Sequence, residues 1–312
     1  MSSDTDDQRL ARRVAELSIS DPQFAAARPS AAVASAIEQA GASLPAVIEA
    51  AMVGYADRPA MGRRVLRFVS DAQSGRTSLE QLPEFETITY RELWDHATAL
   101  SNALTEGTGS VSAGDRVAVL GFTSVDYATV DLALGRIGAV SVPLQSGAAI
   151  TQLQPVVVET EAAVIAASLE YLSDAVELIL GGHTPARLVV FDYHPQVDDH
   201  REAFEDARAR LADTEVDVET LDNLIERGRA LPVTPAAVSG AEDPAEDPLS
   251  LLIYTSGSTG APKGAMYPQS NAAGMWNRSS GIWFGESAAS ITANFMPMSH
   301  VMGRAILYGT LG

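Results

Sequence analysis

The sequence has 312 residues, of which 46% are hydrophobic and 20% are charged. This composition excludes a disordered or fibrous chain, and the length allows two domains or one large α/β domain. The 21 basic and 40 acidic side chains leave a formal net charge of -19. Non-specific nucleic-acid binding needs Lys and Arg to neutralise phosphates, so we expect neither a nucleic-acid partner nor attraction to an anionic membrane.

Cysteine is absent from the sequence. This excludes disulfides, zinc-thiolate sites, iron-sulfur clusters and a cysteine nucleophile, so any acyl thioester must form elsewhere. Residues 1–7 (MSSDTDD) are acidic and polar, whereas a secretory signal begins with basic residues followed by an apolar stretch. No 18 apolar residues run together, so we expect no spanning helix and a cytoplasmic location.

The first third of the chain contains signals for helices and one strand. Residues 10–55 are rich in alanine, with Ser30 as a candidate cap, and this predicts two helices. Residues 63–70 predict a strand. Thr89 and Glu92 have the spacing of a capping box, and apolar residues follow it at helical spacing.

From residue 116 onward, apolar runs of strand length alternate with helical segments. The predicted strands are residues 117–120, 139–143, 162–167 and 188–191. Ser124 is a candidate cap for a helix that Gly138 ends, residues 151–154 offer another capping box, and residues 169–180 predict a further helix. This alternation predicts a parallel, doubly wound α/β sheet with right-handed crossovers.

Two segments between this region and the most informative loop carry little chemical signal. Residues 198–229 are dense in charge and predict a pair of solvated surface helices rather than a metal site. Residues 235–248 are rich in Pro, Gly and acidic residues and predict an exposed connector.

Residues 249–254 form an apolar run of strand length that leads directly into TSGSTGAPKG at residues 255–264. Glycine lets backbone N–H groups approach an anion and adopt positive φ, hydroxyls donate to phosphate oxygens, and a lysine adds positive charge. The sequence therefore predicts a phosphate-binding loop. Its members are the glycines Gly257, Gly260 and Gly264, the hydroxyl residues Thr255, Ser256, Ser258 and Thr259, and Lys263.

Three common loop patterns do not fit this segment. The NTPase P-loop requires Gly-Lys-[Ser/Thr], but Lys263 lies between a proline and a glycine. The dinucleotide fingerprint G-x-G-x-x-G and the esterase elbow G-x-S-x-G are also absent. A flexible Gly/Ser linker is the structural alternative, but a linker does not usually follow a buried strand or end in Pro-Lys-Gly.

The segment YTSGSTGAPKG at residues 254–264 resembles the signature loop of the adenylate-forming (AMP-binding) superfamily, which includes acyl-CoA synthetases, luciferases, peptide-synthetase adenylation domains and carboxylic acid reductases. TYREL at residues 89–93 and LALGRIGAVSVPL at residues 132–144 resemble two architectural landmarks of these enzymes. NFMPMSH at residues 294–300 resembles their histidine segment.

Within the superfamily, residues 257–271 and 296–304 most resemble the actinobacterial carboxylic acid reductases, as does the helical extension ahead of Arg63. Most relatives carry an aromatic residue just before the histidine, whereas this sequence has Ser299. This difference favours the reductase branch over ordinary CoA ligases.

The resemblance implies an α/β fold, the large N-terminal domain of an adenylate-forming enzyme, with layered parallel and mixed sheets and helices. We predict a helical extension at residues 1–58 and an incomplete adenylation core at residues 59–312, with the phosphate loop at 254–264. Residues 304–312 form an apolar, helix-like run without a polar tail, so we expect a truncated domain. Carrier and reductase domains are predicted to be absent from these residues.

By resemblance, the reaction is attack of a carboxylate on the α-phosphorus of ATP, which gives acyl-AMP and pyrophosphate. Lys263 would counter phosphate charge, and His300 would contact the carboxylate or the adenylate. Mg²⁺ would bridge phosphate oxygens, and no protein ligand is assigned to it. Lys263 and His300 are the predicted catalytic residues. The predicted nucleotide-binding residues are Thr255, Ser256, Gly257, Ser258, Thr259, Gly260, Lys263, Gly264 and His300.

In a full-length reductase, the resemblance further implies phosphopantetheine, NADPH, and carrier and reductase domains of the same polypeptide, which together reduce a carboxylic acid to an aldehyde. Two other functions stay open on the residues alone. One is an acyl-CoA ligase or peptide-synthetase adenylation domain. The other is a non-catalytic nucleotide-binding fragment, because half of an adenine site binds ATP poorly.

Overall fold

The computed structural model describes residues 6–41, 43–107, 109–237, 247–256, 262–283 and 291–312. The helices are α1 Asp6–Ser20, α2 Pro22–Ala27, α3 Ala31–Ala40, α4 Leu44–Gly54, α5 Tyr90–Leu104, α6 Val125–Ile137, α7 Ile150–Thr160, α8 Leu172–Gly181, α9 Asp198–Arg210, α10 Leu221–Arg229, α11 Gln269–Trp283 and α12 Val301–Leu311. The strands are β1 Pro59–Ser70, β2 Thr77–Thr89, β3 Arg116–Leu120, β4 Val140–Leu144, β5 Val164–Ser168, β6 Arg187–Phe191, β7 Asp217–Thr220, β8 Leu249–Ser256 and β9 Pro262–Pro268. A short 3₁₀ helix, Leu169–Tyr171, precedes α8.

The N-terminal region contains four helices, so the prediction of two was wrong. Asp21 ends the first helix and caps the second, because its side chain accepts from the N–H groups of Gln23 and Phe24 while Pro22 occupies the first turn. Helices α3 and α4 bury Val33 and Ile48 in the same core as α5 and α6. The division at residue 58 stays a prediction.

Strands β1 and β2 form a separate antiparallel hairpin that leads into α5. The predicted capping box at the start of α5 is confirmed in both halves. The Thr89 hydroxyl accepts from the Glu92 N–H at 3.2 Å, and the Glu92 carboxylate accepts from the Thr89 N–H at 2.8 Å. The helix then buries the predicted apolar face in the core, at Leu93, Ala97, Leu100 and Leu104.

The remaining strands form one seven-stranded sheet in the order β7-β6-β5-β3-β4-β8-β9. Each neighbouring pair is parallel except β8 and β9, which are antiparallel. Helices α5, α6 and α10 pack on one face and α7, α8 and α9 on the other. The predicted doubly wound α/β architecture is confirmed, with one antiparallel edge strand that makes the sheet mixed.

The first crossover, from β3 to β4, forms as its local signals predict. Ser124 caps α6 by accepting the Tyr127 N–H at 3.0 Å, and Gly138 ends that helix in the left-handed conformation at φ 71°. Residues 151–154 do not form the predicted capping box. Thr151 lies inside α7, which begins after Ala149 without a side-chain cap.

The charged segment at residues 198–229 contains the two predicted helices, but a short strand, β7, lies between them. Helix α10 is also more than a solvated surface helix, because Leu224 and Ile225 are buried against α5. Its Gly228 lies so close to α5 that a Cβ would stand 1.8 Å from the Ala99 carbonyl oxygen. The predicted connector at residues 235–248 falls largely outside the described residues. No helix in the described part of the chain is long and apolar enough to span a bilayer.

Candidate active site

The ends of the predicted phosphate loop lie on a β-hairpin. Strand β8 pairs with β9 so that Thr255 faces Lys263 and Ser256 faces Pro262. Because β8 runs parallel to β4, this end of the hairpin lies at the carboxyl edge of the sheet, where α/β proteins place their ligand sites. The predicted loop residues Gly257, Ser258, Thr259 and Gly260 lie outside the described residues.

Lys263 is the only lysine in the sequence, the other 20 basic residues being arginines. Its side chain and that of Thr255 are exposed, and neither makes a hydrogen bond or ion pair with another described residue. A compact, strongly hydrated ammonium group at this edge is available to a polyanion. In a chain of net charge -19, it is also a local exception to the prevailing acidity.

Gly264 has a role that differs from the predicted one. It lies in β9, opposite Tyr254, and its φ is not positive. A Cβ at this position would stand 2.9 Å from Leu252 Cδ1 and 3.2 Å from Tyr254 Cζ. Gly264 therefore makes room for the Tyr254 ring rather than supplying a left-handed turn, and the expectation of positive φ there was wrong.

Tyr254 fixes the hairpin against the sheet's second helical layer. Its half-buried ring packs against the core formed with α7 and α8, and its hydroxyl bonds Glu159 of α7. Burial, with the nearby Glu159 carboxylate, raises the pKa of Tyr254 to about 12. The residue stays neutral at physiological pH and acts as a structural support for the loop.

His300 is the N-cap of α12, a role that the sequence did not indicate. Its Nδ1 accepts the N–H of Met302 at 3.2 Å, and its own N–H donates to the Pro297 carbonyl at 3.0 Å. A neutral imidazole that accepts at Nδ1 carries its proton on Nε2. Because the side chain is exposed, the Nε2–H can donate to an oxyanion placed before the helix.

The segment before His300 is held to the sheet edge through its carbonyl groups. Thr123, just beyond β3, donates its hydroxyl to the Met296 carbonyl at 2.9 Å. Asn294 accepts from the Met296 N–H at 3.2 Å and donates to the Gly303 carbonyl at 3.0 Å. The histidine segment is thereby fixed at the carboxyl edge of β3, the same edge that receives the phosphate-loop hairpin.

Arg304 completes this anchoring from within the protein. Its guanidinium is 2% exposed and donates to the Met298 carbonyl at 2.9 Å and to Asp131 of α6 at 2.5 Å. It also donates to the Ser141 hydroxyl of β4 at 3.0 Å. Burial opposes the charged form of Arg304, but the Asp131 carboxylate outweighs that effect and leaves the pKa of Arg304 raised. Sequence reasoning missed Thr123, Asp131 and Arg304, since none belongs to a local pattern.

The structure joins the two predicted catalytic residues through a shared support rather than through direct contact. Helix α11 leaves the hairpin, packs on β8 and β9, and stacks its Trp276 on Tyr308 of α12 at 5.2 Å. No described hydrogen bond or ion pair links His300 to Lys263. The two residues lie on separate segments at the carboxyl edge of the sheet, Lys263 on the β8-β9 hairpin and His300 at the start of α12.

Among the described residues, no three His, Cys, Asp or Glu side chains are grouped so that they could hold a metal ion. A nucleoside triphosphate brings its own phosphate oxygens, which are ligands that Mg²⁺ prefers.

The family profile described as AMP-binding enzyme matches residues 66–312. The chain belongs to the AMP-binding enzyme family. Its fold is that of the adenylate-forming enzymes, and the recognition of that superfamily from residues 254–264 is confirmed.

Within this family, the chain is similar to carboxylic acid reductases. It is 62% identical to the carboxylic acid reductase of Mycobacterium tuberculosis over 98% of its own length and 25% of that protein. The corresponding enzyme of Mycobacterium marinum is 57% identical over 100% of the chain and 26% of that protein. The adenylation and carrier didomain of the Segniliparus rugosus carboxylic acid reductase, solved in complex with AMP, superposes with a TM-score of 0.91 at 48% identity, over 97% of this chain and 42% of that one. The chain thus spans about a quarter of the curated relatives.

Proposed function

We propose that this chain is the N-terminal part of an adenylation domain that activates a carboxylic acid with ATP, and that it works within a longer carboxylic acid reductase. The proposal rests on the similarity to the reductases over nearly the whole chain. The observation that supports it is the arrangement of the hairpin that bears Lys263 and the His300 N-cap at one carboxyl edge of the sheet. Since the chain covers about a quarter of those relatives, the complete reaction belongs to the longer polypeptide.

In the proposed reaction, a carboxylate oxygen of the acid attacks the α-phosphorus of ATP. The bond from that phosphorus to the bridging oxygen breaks, and the products are acyl-AMP and pyrophosphate. The chain's task is to bring two anions together, so its contribution is positioning and charge neutralisation rather than covalent catalysis. Thr255, Ser256 and Lys263 hold the β- and γ-phosphates, and Mg²⁺ enters with the nucleotide.

His300 holds the other reactant. Its Nε2–H donates to the substrate carboxylate, or to the carbonyl oxygen of the adenylate after the reaction. The N-terminus of α12, which begins directly after the exposed His300, favours negative charge at the same place. In the longer polypeptide, a carrier domain with phosphopantetheine would supply the thiol for the acyl thioester, and a reductase domain with NADPH would supply the hydride that converts it to an aldehyde and the free thiol.

Replacing Lys263 tests the phosphate contact. Lys263→Ala removes a charge-assisted bond, for which we expect a loss of about 1.5 to 3 kcal/mol in transition-state stabilisation, or roughly ten- to a hundredfold in kcat/KM for ATP. The measurement is acid-dependent exchange of labelled pyrophosphate into ATP by the full-length enzyme. Arg64→Ala, which removes an exposed cation from the β1-β2 hairpin, is the matched control and should leave exchange unchanged. Unaltered kinetics in Lys263→Ala would contradict the phosphate site.

Because Lys263 is the only lysine, ATP binding can also be observed on this chain without turnover. ¹⁵N-lysine labelling gives a single side-chain ammonium signal, which should shift as ATP-Mg²⁺ is added. A signal that stays unmoved at millimolar ATP would favour the non-catalytic alternative for the chain by itself. Analysis of the full-length enzyme's products separates the remaining alternatives, since a reductase releases an aldehyde and a ligase releases acyl-CoA.

A further inference from the structure

The turn that carries His300 is held from both sides by one buried side chain. The Met298 carbonyl, two residues before the histidine, accepts from Arg304 Nε, four residues after it. Through the same guanidinium, this loop is joined to Asp131 of α6 and Ser141 of β4. Met298 and Arg304 are 0% and 2% exposed, so these bonds are shielded from water.

The anchoring group is itself fixed on every side. Asp131 accepts from Arg304 with one carboxylate oxygen and from the Ser141 hydroxyl with the other, at 2.9 Å. A fourth guanidinium bond runs to the Tyr308 hydroxyl at 3.1 Å, and the Tyr308 ring stacks on Trp276 of α11. Helix α6, strand β4, helix α12 and the histidine turn therefore meet at one guanidinium, and α11 packs against this group through Tyr308.

We propose that Arg304 is a positioning residue for adenylation, which sets the orientation of the His300 imidazole through the Met298 carbonyl and the Asp131 ion pair. The inference rests on the proposed function for its consequence in catalysis, but the orientation itself can be measured without catalysis. Arg304 touches no reactant, and it acts by fixing the turn whose geometry allows His300 Nδ1 to accept the Met302 N–H. Thr123 and Asn294 hold this segment at Met296 and Gly303, so loss of the Arg304 anchor frees its Met298 end, next to His300, and misdirects the Nε2–H.

The rival explanation is that this ion pair only stabilises the fold. Removing one partner does not separate the two explanations, because an unpaired buried charge destabilises any protein. Replacing both partners by apolar side chains does separate them, because it removes the anchor without leaving a buried charge unpaired. Leu has the branched shape of Asp131, and Met keeps the unbranched stem of Arg304. The test variant is therefore Arg304→Met with Asp131→Leu.

The first measurement uses ¹⁵N-histidine NMR on this chain, with His300→Asn identifying the His300 signal among five histidines. We expect wild type to show a single Nε2–H tautomer at His300 and the double variant to show a mixture. Arg136→Met is the matched control, because Arg136 is a buried arginine that bonds the Thr234 carbonyl and does not touch the histidine segment. The control should leave the His300 tautomer unchanged. An unchanged His300 tautomer in a folded double variant overturns the proposal.

The second measurement is pyrophosphate exchange by the full-length enzyme, with melting temperature measured in parallel. The double variant leaves the Met298 carbonyl and the Ser141 and Tyr308 hydroxyls without their Arg304 bonds, so we expect it to melt below wild type, and exchange is measured well below its melting temperature. Its adenylation kcat should fall at least about tenfold, with an unchanged KM for ATP. Combined with His300→Ala, the losses should not multiply, since both changes remove the same contact. Losses of adenylation kcat that multiply when the variants are combined would contradict the positioning role. A loss of activity that only follows the melting temperature would contradict it as well. Absence of exchange in wild type would refute the proposed function and leave the NMR result standing.

Discussion

At the scale of single residues, the observed cap and the proposed substrate contact of His300 depend on different ring nitrogens. Nδ1 accepts the Met302 N–H and caps α12, while Nε2 faces outward. The cap selects the neutral tautomer that donates at Nε2, so protonation of the ring would cost the cap its acceptor. The cap thus couples to the substrate contact that we propose for the same imidazole.

Asparagine and alanine at position 300 separate these duties. Asn is a favoured N-cap but has no group in the place of Nε2, whereas Ala has neither function. We expect His300→Ala to lose about 1 kcal/mol in free energy of unfolding and His300→Asn to lose much less, while both lose adenylation. Denaturant unfolding and pyrophosphate exchange measure the two effects. Reduction of a preloaded thioester by the full-length enzyme is the control and should be retained, and full exchange activity in His300→Asn would exclude the Nε2 contact.

At the scale of elements, the junction between the histidine segment and α12 is tight enough to require a glycine. A Cβ on Gly303 would lie 2.2 Å from the Pro297 carbonyl oxygen and 2.9 Å from that of Met296. Both are backbone atoms, and Thr123 already holds the Met296 carbonyl in place. The helix therefore seats directly on the turn that bears the histidine.

Alanine scanning of two helical glycines tests this close approach. In Gly303→Ala the added methyl meets backbone, so we expect a loss of about 1 to 3 kcal/mol in stability together with reduced adenylation. In Gly135→Ala of α6 the methyl meets the Ile48 Cδ1 at 2.8 Å, the mobile end of a side chain, and the gain in helix propensity offsets the contact. Chemical denaturation compares the two variants. Equal losses of stability in the two variants would show that the Pro297 carbonyl can move aside at little cost.

At the scale of the whole molecule, two of the chain's many acidic side chains lie next to each other at the carboxyl edge of the sheet. Asp192, just after β6, has φ 52° and donates its N–H to the Asp126 carboxylate of α6 at 2.9 Å. Burial, and next the Asp126 charge, raise the pKa of Asp192 to about 7. An acid whose pKa is higher in the folded than in the unfolded state binds more protons when folded, so its ionisation opposes folding.

The stability of the protein should therefore depend on pH in a defined window. Asp192 titrates near pH 4 when unfolded and near pH 7 when folded, so stability should fall as pH rises between these values. Asp192→Asn removes the charge and keeps a residue type that tolerates positive φ. We expect this variant to match wild type near pH 4 and to be more stable above pH 7. Urea unfolding across this range measures the difference, and a gain that does not change with pH would contradict the raised pKa.

Signals confined to a few consecutive residues were predictable from the sequence. The capping box at Thr89, the Ser124 cap, the Gly138 terminus and the apolar strands depend on hydrogen bonds and side-chain periodicity within about one turn or one strand. For the same reason, the segment YTSGSTGAPKG was sufficient to recognise the family. The Asp21 cap was equally local but was overlooked, and with it the division of the first segment into four helices.

The sequence by itself therefore determined the family, the α/β alternation and the two segments that carry Lys263 and His300. Only the tertiary structure decided what holds those segments, because the supporting bonds join distant residues. The Thr123 hydroxyl bonds the Met296 carbonyl, which lies 173 positions away in the sequence, and Arg304 bonds Asp131 at the same separation. It likewise decided that Gly264 makes room for a ring, since a close approach between strands leaves no mark on the local sequence. Long-range packing and buried charge complete a site that local patterns can only locate.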